Sequence, residues 1–321
     1  MASDFANLSS TEQVETMIPV ARSILDGYPL PQFELESINH EYNSTFKVTT
    51  TDGVRYALRI NVNSKRNIEN VRAEMAWVSS LQDVPGLTVP TPIPNSVGEF
   101  ISVAWHPQLG REVLAVLFSW LDGTELGDEP TEEQLRATGR AIARMQRAST
   151  NFELPEGAAL DSASDRFWGA GDNISGSAQI AELQKSKLAE ALNRISVVVA
   201  DLSESARPQI IHADVHPWNV MWDGRDVAVF DFDDCMLGLP VQDLSIALYY
   251  LDTPEQDEAL LAGYCEVAPL PTYTESQMQA LLLHRRIMLL NYLLESENPE
   301  HRDMLVDYLT ETINRVEKYL G

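Results

Sequence analysis

The chain has 321 residues, 44% of them apolar, and its 48 acidic and 23 basic side chains give a formal net charge of -25. This length and apolar content suit one or two ordered domains. The negative charge disfavours nucleic acid and anionic membranes as partners, because both are bound by cationic surfaces. No apolar run approaches the roughly 20 residues that span a bilayer. Two cysteines, Cys235 and Cys265, give no disulfide framework, which favours a cytoplasmic location.

The first 120 residues predict a helix and then an antiparallel sheet that is interrupted by a second helix. Ser10-Thr-Glu-Gln is a capping-box-like start, and apolar residues at helical spacing extend this helix to Gly27–Pro29. Asp52-Gly53 is a strong hairpin turn between two runs of strand character. The second predicted helix is Ile68–Leu81, and the five predicted strands are Phe33–Ile38, Thr45–Thr50, Val54–Ile60, Glu99–Trp105 and Val113–Trp120.

A strand cation and a helix carboxylate are predicted to hold nucleotide phosphates. Arg59 stands in Y-A-L-R, where kinase strands carry a phosphate-binding lysine, and Glu74 is the helix carboxylate that would orient it. Lys47, on the adjacent strand, is the alternative cation. The planar guanidinium of Arg59 can bind phosphate, although it is not equivalent to the lysine ammonium.

Two further segments are predicted to contact the nucleotide. The loop at residues 40–45 lies where kinases place a glycine-rich loop, and here the hydroxyls of Ser44 and Thr45 and nearby N–H groups would face the phosphates. An ordinary polar turn is the alternative. The backbone of Ser119-Trp120-Leu121, at the end of the fifth strand, would hydrogen-bond a purine edge, and a plain strand end is the alternative.

The apolar period becomes helical after the fifth strand. The change divides the chain into a strand-rich N-terminal lobe, residues 1–120, and a mainly helical C-terminal lobe, residues 121–321. The predicted helices of the second lobe are one that begins at Thr131 and then Ile180–Leu202, Asp243–Leu251, Ser276–Glu295 and Arg302–Tyr319. The carboxylate of Asp243 would either cap its own helix or brace the segment that precedes it.

Oxygen-bearing side chains are concentrated between Ile210 and Asp234, at the ends of short apolar strands. His212-x-Asp214, four residues and Asn219 have the spacing of the H-x-D-x-x-x-x-N loop of kinases, and Asp231-Phe-Asp follows where kinases place D-F-G. Loops held by short strands concentrate oxygen ligands for a hard divalent cation near a reactive group. An acidic surface hairpin is the alternative, but both halves of the pattern match in order.

Six motifs, which are spread over most of the chain, match those of a known superfamily in the same order. They are N-S-T-F (Asn43–Phe46), Y-A-L-R-I (Tyr56–Ile60), the helix of Glu74, L-F-S-W-L-D-G (Leu117–Gly123), I-H-A-D-V-H-P-W-N-V (Ile211–Val220) and D-F-D-D (Asp231–Asp234). The chain resembles the aminoglycoside phosphotransferase and choline kinase-like superfamily, especially its bacterial small-molecule kinase branch. The resemblance implies an α+β, bilobal, protein-kinase-like fold with a five-stranded antiparallel N-lobe. Arg59 in place of lysine and Asp233 in place of the D-F-G glycine depart from the kinase pattern.

The resemblance also implies a reaction and a role for each residue. The γ-phosphoryl group of ATP or GTP would be transferred to a hydroxyl, and Asp214 would accept or orient the hydroxyl proton. Asn219 and Asp231 would bind Mg²⁺, and Asp233 would bind a second metal ion or face the acceptor. His212 and His216 are expected to be structural.

The acceptor would be a small molecule bound by the helices that follow the catalytic loop. Carboxylates there favour an aminoglycoside or an amino alcohol, whereas a pair of arginines favours an acceptor with a carboxylate, such as homoserine. The acceptor candidates are Tyr249, Tyr250, Asp252, Glu295, Glu297, Arg285 and Arg286. A Ser/Thr protein kinase of the stress-response type and a non-catalytic nucleotide-binding regulator are the alternatives, and the sequence does not indicate an oligomeric state.

Overall fold

The computed structural model describes residues 5–296 and 298–321, and within them the chain forms two compact units. The first unit is the chain up to Gly123 together with Glu153–Ala159. The second unit is Thr124–Phe152 together with Leu160–Gly321. The segment Glu153–Ala159 joins the first unit through backbone bonds, one of which runs from the Ala159 N–H to the Glu69 carbonyl at 3.1 Å.

The first unit packs two helices with a sheet over an apolar core. The capping box of the first helix is formed by Ser9 and Glu12, one residue earlier than predicted. The core is formed by side chains of that helix and of the sheet, among them Met17, Phe46 and Leu58. The elements are α1 (Ser10–Leu25), β1 (Phe33–His40), β2 (Asn43–Thr50), β3 (Arg55–Asn61), α2 (Ile68–Leu81), β4 (Pro92–Ile93), β5 (Ile101–His106) and β6 (Arg111–Ser119).

The sheet of this unit has six strands among the described residues, one more than predicted. The order is β1-β2-β3-β6-β4, with β5 also on β6, and every pair is antiparallel. The additional strand, β4, comes from the proline-rich passage that the sequence marks only as a chain break. A strand of two residues that begins with Pro92 fits at the end of a sheet, where the missing N–H costs no ladder bond.

The connection between β1 and β2 is shorter than the sequence predicts. Only Glu41 and Tyr42 lie between the two strands, so Ser44 and Thr45 belong to β2 and not to a loop. The polar residues of this passage read as a turn, but cross-strand pairing of His40 with Ser44 extends both strands.

The second unit is mainly helical. No helix of residues 5–296 and 298–321 is both long enough and apolar enough to cross a membrane. One helix, Pro254–Cys265, was not predicted, although Thr253 and Gln256 form a capping box at its start. The helices are α3 (Glu132–Ser149), α4 (Glu182–Ser205), α5 (Pro240–Tyr249), α6 (Pro254–Cys265), α7 (Glu275–Leu293) and α8 (Pro299–Leu320).

Two glycines allow α3 and α6 to pack closely. A Cβ at Gly139 would lie 2.0 Å from the Leu260 carbonyl oxygen, and one at Gly263 would lie 1.9 Å from the Arg136 carbonyl oxygen. Both distances are far below van der Waals contact, so no other residue fits at either position without separating the helices. In the same helix pair, Oε1 of Gln146 on α3 accepts from the Tyr264 hydroxyl on α6 at 2.5 Å.

Short strands hold the segment rich in oxygen side chains. β8 (Gln209–Ile211) pairs with β11 (Met236–Gly238), and β9 (Val220–Trp222) pairs with both β10 (Val227–Val229) and β7 (Thr124–Glu125). All these pairs are antiparallel. The loops that follow β8 and β10 are therefore anchored at both ends by paired strands, and short strands were expected around the Ile210–Asp234 segment.

Candidate active site

A buried histidine joins the two loops. The Nε2 atom of His212 lies 3.0 Å from the Phe230 carbonyl oxygen, and its Nδ1 atom accepts the N–H of Asp214 at 3.3 Å. Burial lowers the pKa of His212, which outweighs the opposite effect of Asp243. The ring is thus neutral at physiological pH, with Nε2 as the donor. His212 braces the loops, in agreement with its predicted structural role.

A second brace is the carboxylate of Asp243, which is fully buried. Its Oδ1 accepts the N–H of Ala213 at 2.9 Å, and its Oδ2 accepts from Nε2 of Gln146 at 3.2 Å. Ala213 has a positive φ of 64°, a conformation that needs support from its surroundings. Helix α5 begins at Pro240, three residues before Asp243 and not at Asp243 as predicted. Of the two predicted roles, the structure assigns Asp243 the bracing one.

Replacing Asp243 with alanine is expected to lower the free energy of unfolding by about 1–3 kcal/mol, because the buried N–H of Ala213 loses its acceptor. The Asp243→Asn variant keeps an oxygen for that N–H, so it is the matched control and is expected to cost less. Urea denaturation of both variants measures the difference. Equal losses for the two variants would contradict the bracing role.

The Asp214 carboxylate is held by three side chains. Nη2 of Arg285 donates to its Oδ1, while Nδ2 of Asn219 donates to its Oδ2 at 3.0 Å and Nε2 of His216 lies 3.3 Å from the same oxygen. Burial by itself raises the pKa of Asp214, but Arg285 and then His216 outweigh it and lower the pKa to about 2. Asp214 is therefore a carboxylate at every physiological pH. It is suited to orient a hydroxyl, which is the main requirement in phosphoryl transfer.

The contact of Arg285 with Asp214 was not predicted from the sequence. Nη2 of Arg285 also donates to the Tyr250 hydroxyl at 2.6 Å, and its guanidinium carbon lies 5.4 Å from the centre of the Tyr250 ring and 6.0 Å from that of Trp168. The residue lies on α7 inside the run L-L-L-H-R-R-I-M-L-L. A charge in so apolar a run must have a buried partner. That signal was available, but the identity of the partner, 71 residues away, was not.

The candidate metal ligands lie on adjoining loops. Nδ2 of Asn219 donates to Asp214, so the amide oxygen is the atom that would coordinate a cation. The N–H of Phe230 donates to the Asn219 carbonyl at 3.1 Å, which places Asp231, the next residue, beside Asn219. Asp231 is exposed and left-handed, with a φ of 61°. Asp233 lies half-buried in the 3-10 turn that follows.

These residues fit a magnesium ion. Mg²⁺ keeps several water molecules and is bound by one or two carboxylates together with substrate phosphates, so an amide oxygen and one or two carboxylates suffice. In the described parts of the chain, no group of three or more His, Cys, Asp or Glu residues forms a metal cluster. Asn219 and Asp231 would hold the ion, and Asp233 is a further candidate ligand.

The first unit brings together the predicted phosphate-binding pair. Arg59 of β3 and Glu74 of α2 form two hydrogen bonds, of 2.8 and 2.5 Å, and both are buried. Lys47 instead pairs with Glu36 at 3.1 Å on the surface and lies 5.4 Å from the centre of the Trp120 ring. The geometry therefore favours Arg59 over Lys47 as the oriented cation.

Removal of the Glu74 carboxylate is expected to cost far more than removal of its surface counterpart. Glu74→Ala leaves the guanidinium of Arg59 buried without its carboxylate, which costs about 3–5 kcal/mol in free energy of unfolding. Glu36→Ala breaks the exposed pair with Lys47 and is expected to cost less than about 1 kcal/mol. Denaturation with guanidinium chloride measures the free energy of unfolding of both variants. If Glu74→Ala loses no more of this free energy than Glu36→Ala does, Arg59 is not firmly held by Glu74.

Several hydrogen-bonding groups of the remaining nucleotide-binding candidates already have partners within the protein. The Ser44 hydroxyl lies 2.6 Å from Nδ1 of His40 and is buried, whereas Thr45 is half-buried. The N–H of Ser119 donates to the Thr91 carbonyl at 2.8 Å, and that of Trp120 donates to the Arg55 carbonyl at 3.2 Å. A purine edge would therefore have to use Leu121 or backbone carbonyl groups. These nucleotide contacts stay predictions.

The acceptor candidates are placed unequally. Tyr250 contacts Arg285 beside Asp214, but the Tyr249 hydroxyl lies 2.7 Å from that of Tyr308 on α8. Arg286 also faces α8, where its Nε donates to the Thr312 hydroxyl at 3.0 Å. Asp252 is exposed, Glu295 accepts from Asn173 at 2.9 Å, and Glu297 lies outside the described residues.

A strand cation bound to a helix carboxylate, with an H-x-D-x-x-x-x-N loop held by short strands, defines the class of protein-kinase-like folds. Among solved structures, a microcompartment-associated aminopropanol kinase has a TM-score of 0.79 at 22% identity, covering 94% of this chain and 97% of that one. An amicoumacin kinase in complex with AMP-PNP and Ca²⁺ has a TM-score of 0.77 at 18% identity, covering 95% and 96%. The predicted α+β, protein-kinase-like fold is confirmed.

The model of the phosphotransferase enzyme family matches residues 34–279. The chain belongs to this family, which confirms the resemblance drawn from its motifs. It is also 30% identical over 194 residues to a homoserine kinase of Rhizobium etli, a match that covers 58% of this chain. The matched part spans 57% of the length of that curated relative.

Proposed function

We propose that the protein is a kinase that transfers the γ-phosphoryl group of ATP or GTP to a hydroxyl of a small molecule. The observation that carries the proposal is the Asp214 carboxylate, fixed by Asn219 and His216 in a loop whose backbone is braced by His212 and Asp243. Membership of the phosphotransferase enzyme family supports it. In the reaction, a bond forms between the acceptor oxygen and the γ-phosphorus, and the bond from that phosphorus to the bridging oxygen of the nucleoside diphosphate breaks.

Each residue has one proposed role. Asp214 orients the acceptor hydroxyl and accepts its proton, and Asn219 and Asp231 bind Mg²⁺, with Asp233 as a further ligand. When bound there, Mg²⁺ supplies charge neutralisation at the phosphate oxygens. Arg59, oriented by Glu74, binds phosphate oxygens of the nucleotide. We thus assign nucleotide binding to the lobe of residues 1–120, and catalysis and acceptor binding to residues 121–321.

The proposed acceptor is an amino alcohol or a hydroxy amino acid. Kinases for homoserine, aminopropanol and amicoumacin are among the proteins to which the chain is similar, and their named acceptors support this class. The complex of the amicoumacin kinase with AMP-PNP and Ca²⁺ supports a nucleoside triphosphate with a divalent cation. We propose a cytoplasmic location, where such acceptors and ATP are both available, with no nucleic-acid or membrane partner.

A transfer screen tests the proposal. Purified protein is incubated with ATP or GTP and Mg²⁺, and formation of the nucleoside diphosphate is followed with amino alcohols, hydroxy amino acids, aminoglycosides and sugars. Acceptor-dependent turnover with one of these classes is expected. Nucleotide binding without turnover on any acceptor would favour a non-catalytic regulator, and turnover only with a protein substrate would favour a Ser/Thr protein kinase.

A further inference from the structure

We propose that Arg285 selects the acceptor: its guanidinium, which lies on the Asp214 carboxylate in this structure, binds a carboxylate that the acceptor carries near its hydroxyl. This inference rests on the proposed kinase function and names the substrate class of that site. Arg285 is thus a specificity residue, and the substrate class is an amino acid with a side-chain hydroxyl.

Arg285 has spare donors at the place where an acceptor must bind. The residue is 8% exposed, and its Nη2 serves both the Asp214 carboxylate and the Tyr250 hydroxyl. Its Nε has no hydrogen-bond partner among residues 5–296 and 298–321, and neither does Nε1 of Trp168, the ring beside its guanidinium. Buried donors without partners are costly, and a native protein retains them where a ligand or water completes them.

Two aromatic side chains, Trp168 and Tyr250, surround the guanidinium of Arg285. Trp168 and Tyr250 both pack against the small apolar cluster of Ala213 and its neighbours, under the catalytic loop. Trp168 has a φ of 51°, a conformation that is strained for a bulky side chain and that is found mainly at functional sites. The rings of Trp168 and Tyr250 therefore hold the guanidinium in place, and its Nη2 atom contacts the Asp214 carboxylate.

The charges around Asp214 discriminate between acceptors. Both carboxylate oxygens already accept from protein donors, Oδ1 from Arg285 and Oδ2 from Asn219. An acceptor with a carboxylate draws the guanidinium toward itself and leaves Oδ1 for the acceptor hydroxyl. An acceptor with only an ammonium group instead meets a buried guanidinium of the same sign, which is unfavourable. The ion pair thus favours hydroxy amino acids over simple amino alcohols.

A matched pair of acceptors tests the inference without any mutation. L-Homoserine and 3-amino-1-propanol have the same hydroxyl and ammonium groups and differ only in the carboxylate. The wild-type protein is expected to have a kcat/KM about 100-fold higher for L-homoserine, in line with one charge-assisted hydrogen-bonded pair. A ratio near one, or a best acceptor in the full screen that carries no anionic group, would overturn the inference.

Two neighbouring buried arginines provide a matched variant and control. Arg285→Gln is expected to lower kcat/KM for L-homoserine by about 100-fold more than it lowers kcat/KM for 3-amino-1-propanol, mainly through KM. Arg285→Lys keeps the charge but loses the planar guanidinium that binds a carboxylate through two hydrogen bonds. It is expected to give an intermediate loss of kcat/KM for L-homoserine. Arg286→Lys, whose side chain faces α8, is expected to keep the wild-type ratio.

The outcomes separate this inference from the proposed function. No turnover with any hydroxyl compound would remove the kinase proposal itself, whereas turnover without preference for the carboxylate would remove only the role of Arg285. If Arg285→Gln does not fold, Arg285→Lys and the wild-type ratio decide. An equal fall for both acceptors in Arg285→Lys, with KM unchanged, would show that the arginine only supports Asp214.

Discussion

Asp214→Asn is expected to slow phosphoryl transfer by about 10²–10⁴-fold and to leave binding of the Mg-nucleotide nearly unchanged. An asparagine has the size of the aspartate and can still accept from Arg285, but it cannot take the hydroxyl proton. Of the proposed metal ligands, the carboxylate contacts Asn219, whose amide can still donate to the carbonyl oxygen of residue 214 in the variant. Single-turnover kinetics with saturating nucleotide measure the transfer step.

A control in the same segment separates chemistry from folding. Asp223 lies in the turn between β9 and β10, where its Oδ1 accepts the N–H groups of Arg225 and Asp226. Asp223→Asn keeps an oxygen for both and is expected to have wild-type activity. A general base contributes about 10²–10⁴-fold to the transfer rate. If Asp214→Asn keeps a transfer rate within about 3-fold of wild type, Asp214 is not the catalytic group.

Asp231→Asn is expected to abolish most of the magnesium-dependent affinity for nucleotide. Loss of an outer-sphere partner alone costs roughly 10–100-fold in metal affinity or activity, and loss of the negative charge of a ligand is expected to exceed this. Asparagine adopts the left-handed backbone of residue 231 more readily than other residues, so the variant keeps the loop conformation. Calorimetric titration with AMP-PNP, with and without Mg²⁺, measures the change.

Asp233→Asn, measured in the same titration, defines the second carboxylate. A loss comparable to that of Asp231→Asn is expected only if both side chains bind metal, and a smaller loss would assign Asp233 to the acceptor. Unchanged magnesium dependence in Asp231→Asn would contradict the metal site as a whole.

The geometry of the loop from His212 to Asn219 was predictable because it is local. Asp214 and Asn219 are five residues apart, and strand pairing on both sides determines how their side chains meet. The pairing of Arg59 with Glu74 was also predictable, because in the kinase pattern a strand cation pairs with a carboxylate of the helix that follows. In each instance the residue types, their spacing and the element order point to one arrangement.

The contacts that were missed depend on packing between distant elements. Arg285 lies on α7, and no periodicity in the sequence indicates that this helix faces the loop after β8. Ser44 was placed in a loop because polar residues favour turns, but pairing across the hairpin with His40 overrides that preference. The helix α6 was missed because its capping box at Thr253 follows a short polar passage that resembles a loop.

The kinase proposal is tested most directly by observing the product. A ³¹P NMR spectrum of protein, ATP, Mg²⁺ and L-homoserine is expected to show a new phosphomonoester signal that grows in equal amount with ADP. The signal is expected to require the acceptor and to be absent over the same time with Asp214→Asn. Release of inorganic phosphate in place of an ester, or bound ATP that remains intact with every acceptor of the screen, would contradict phosphoryl transfer to a small molecule.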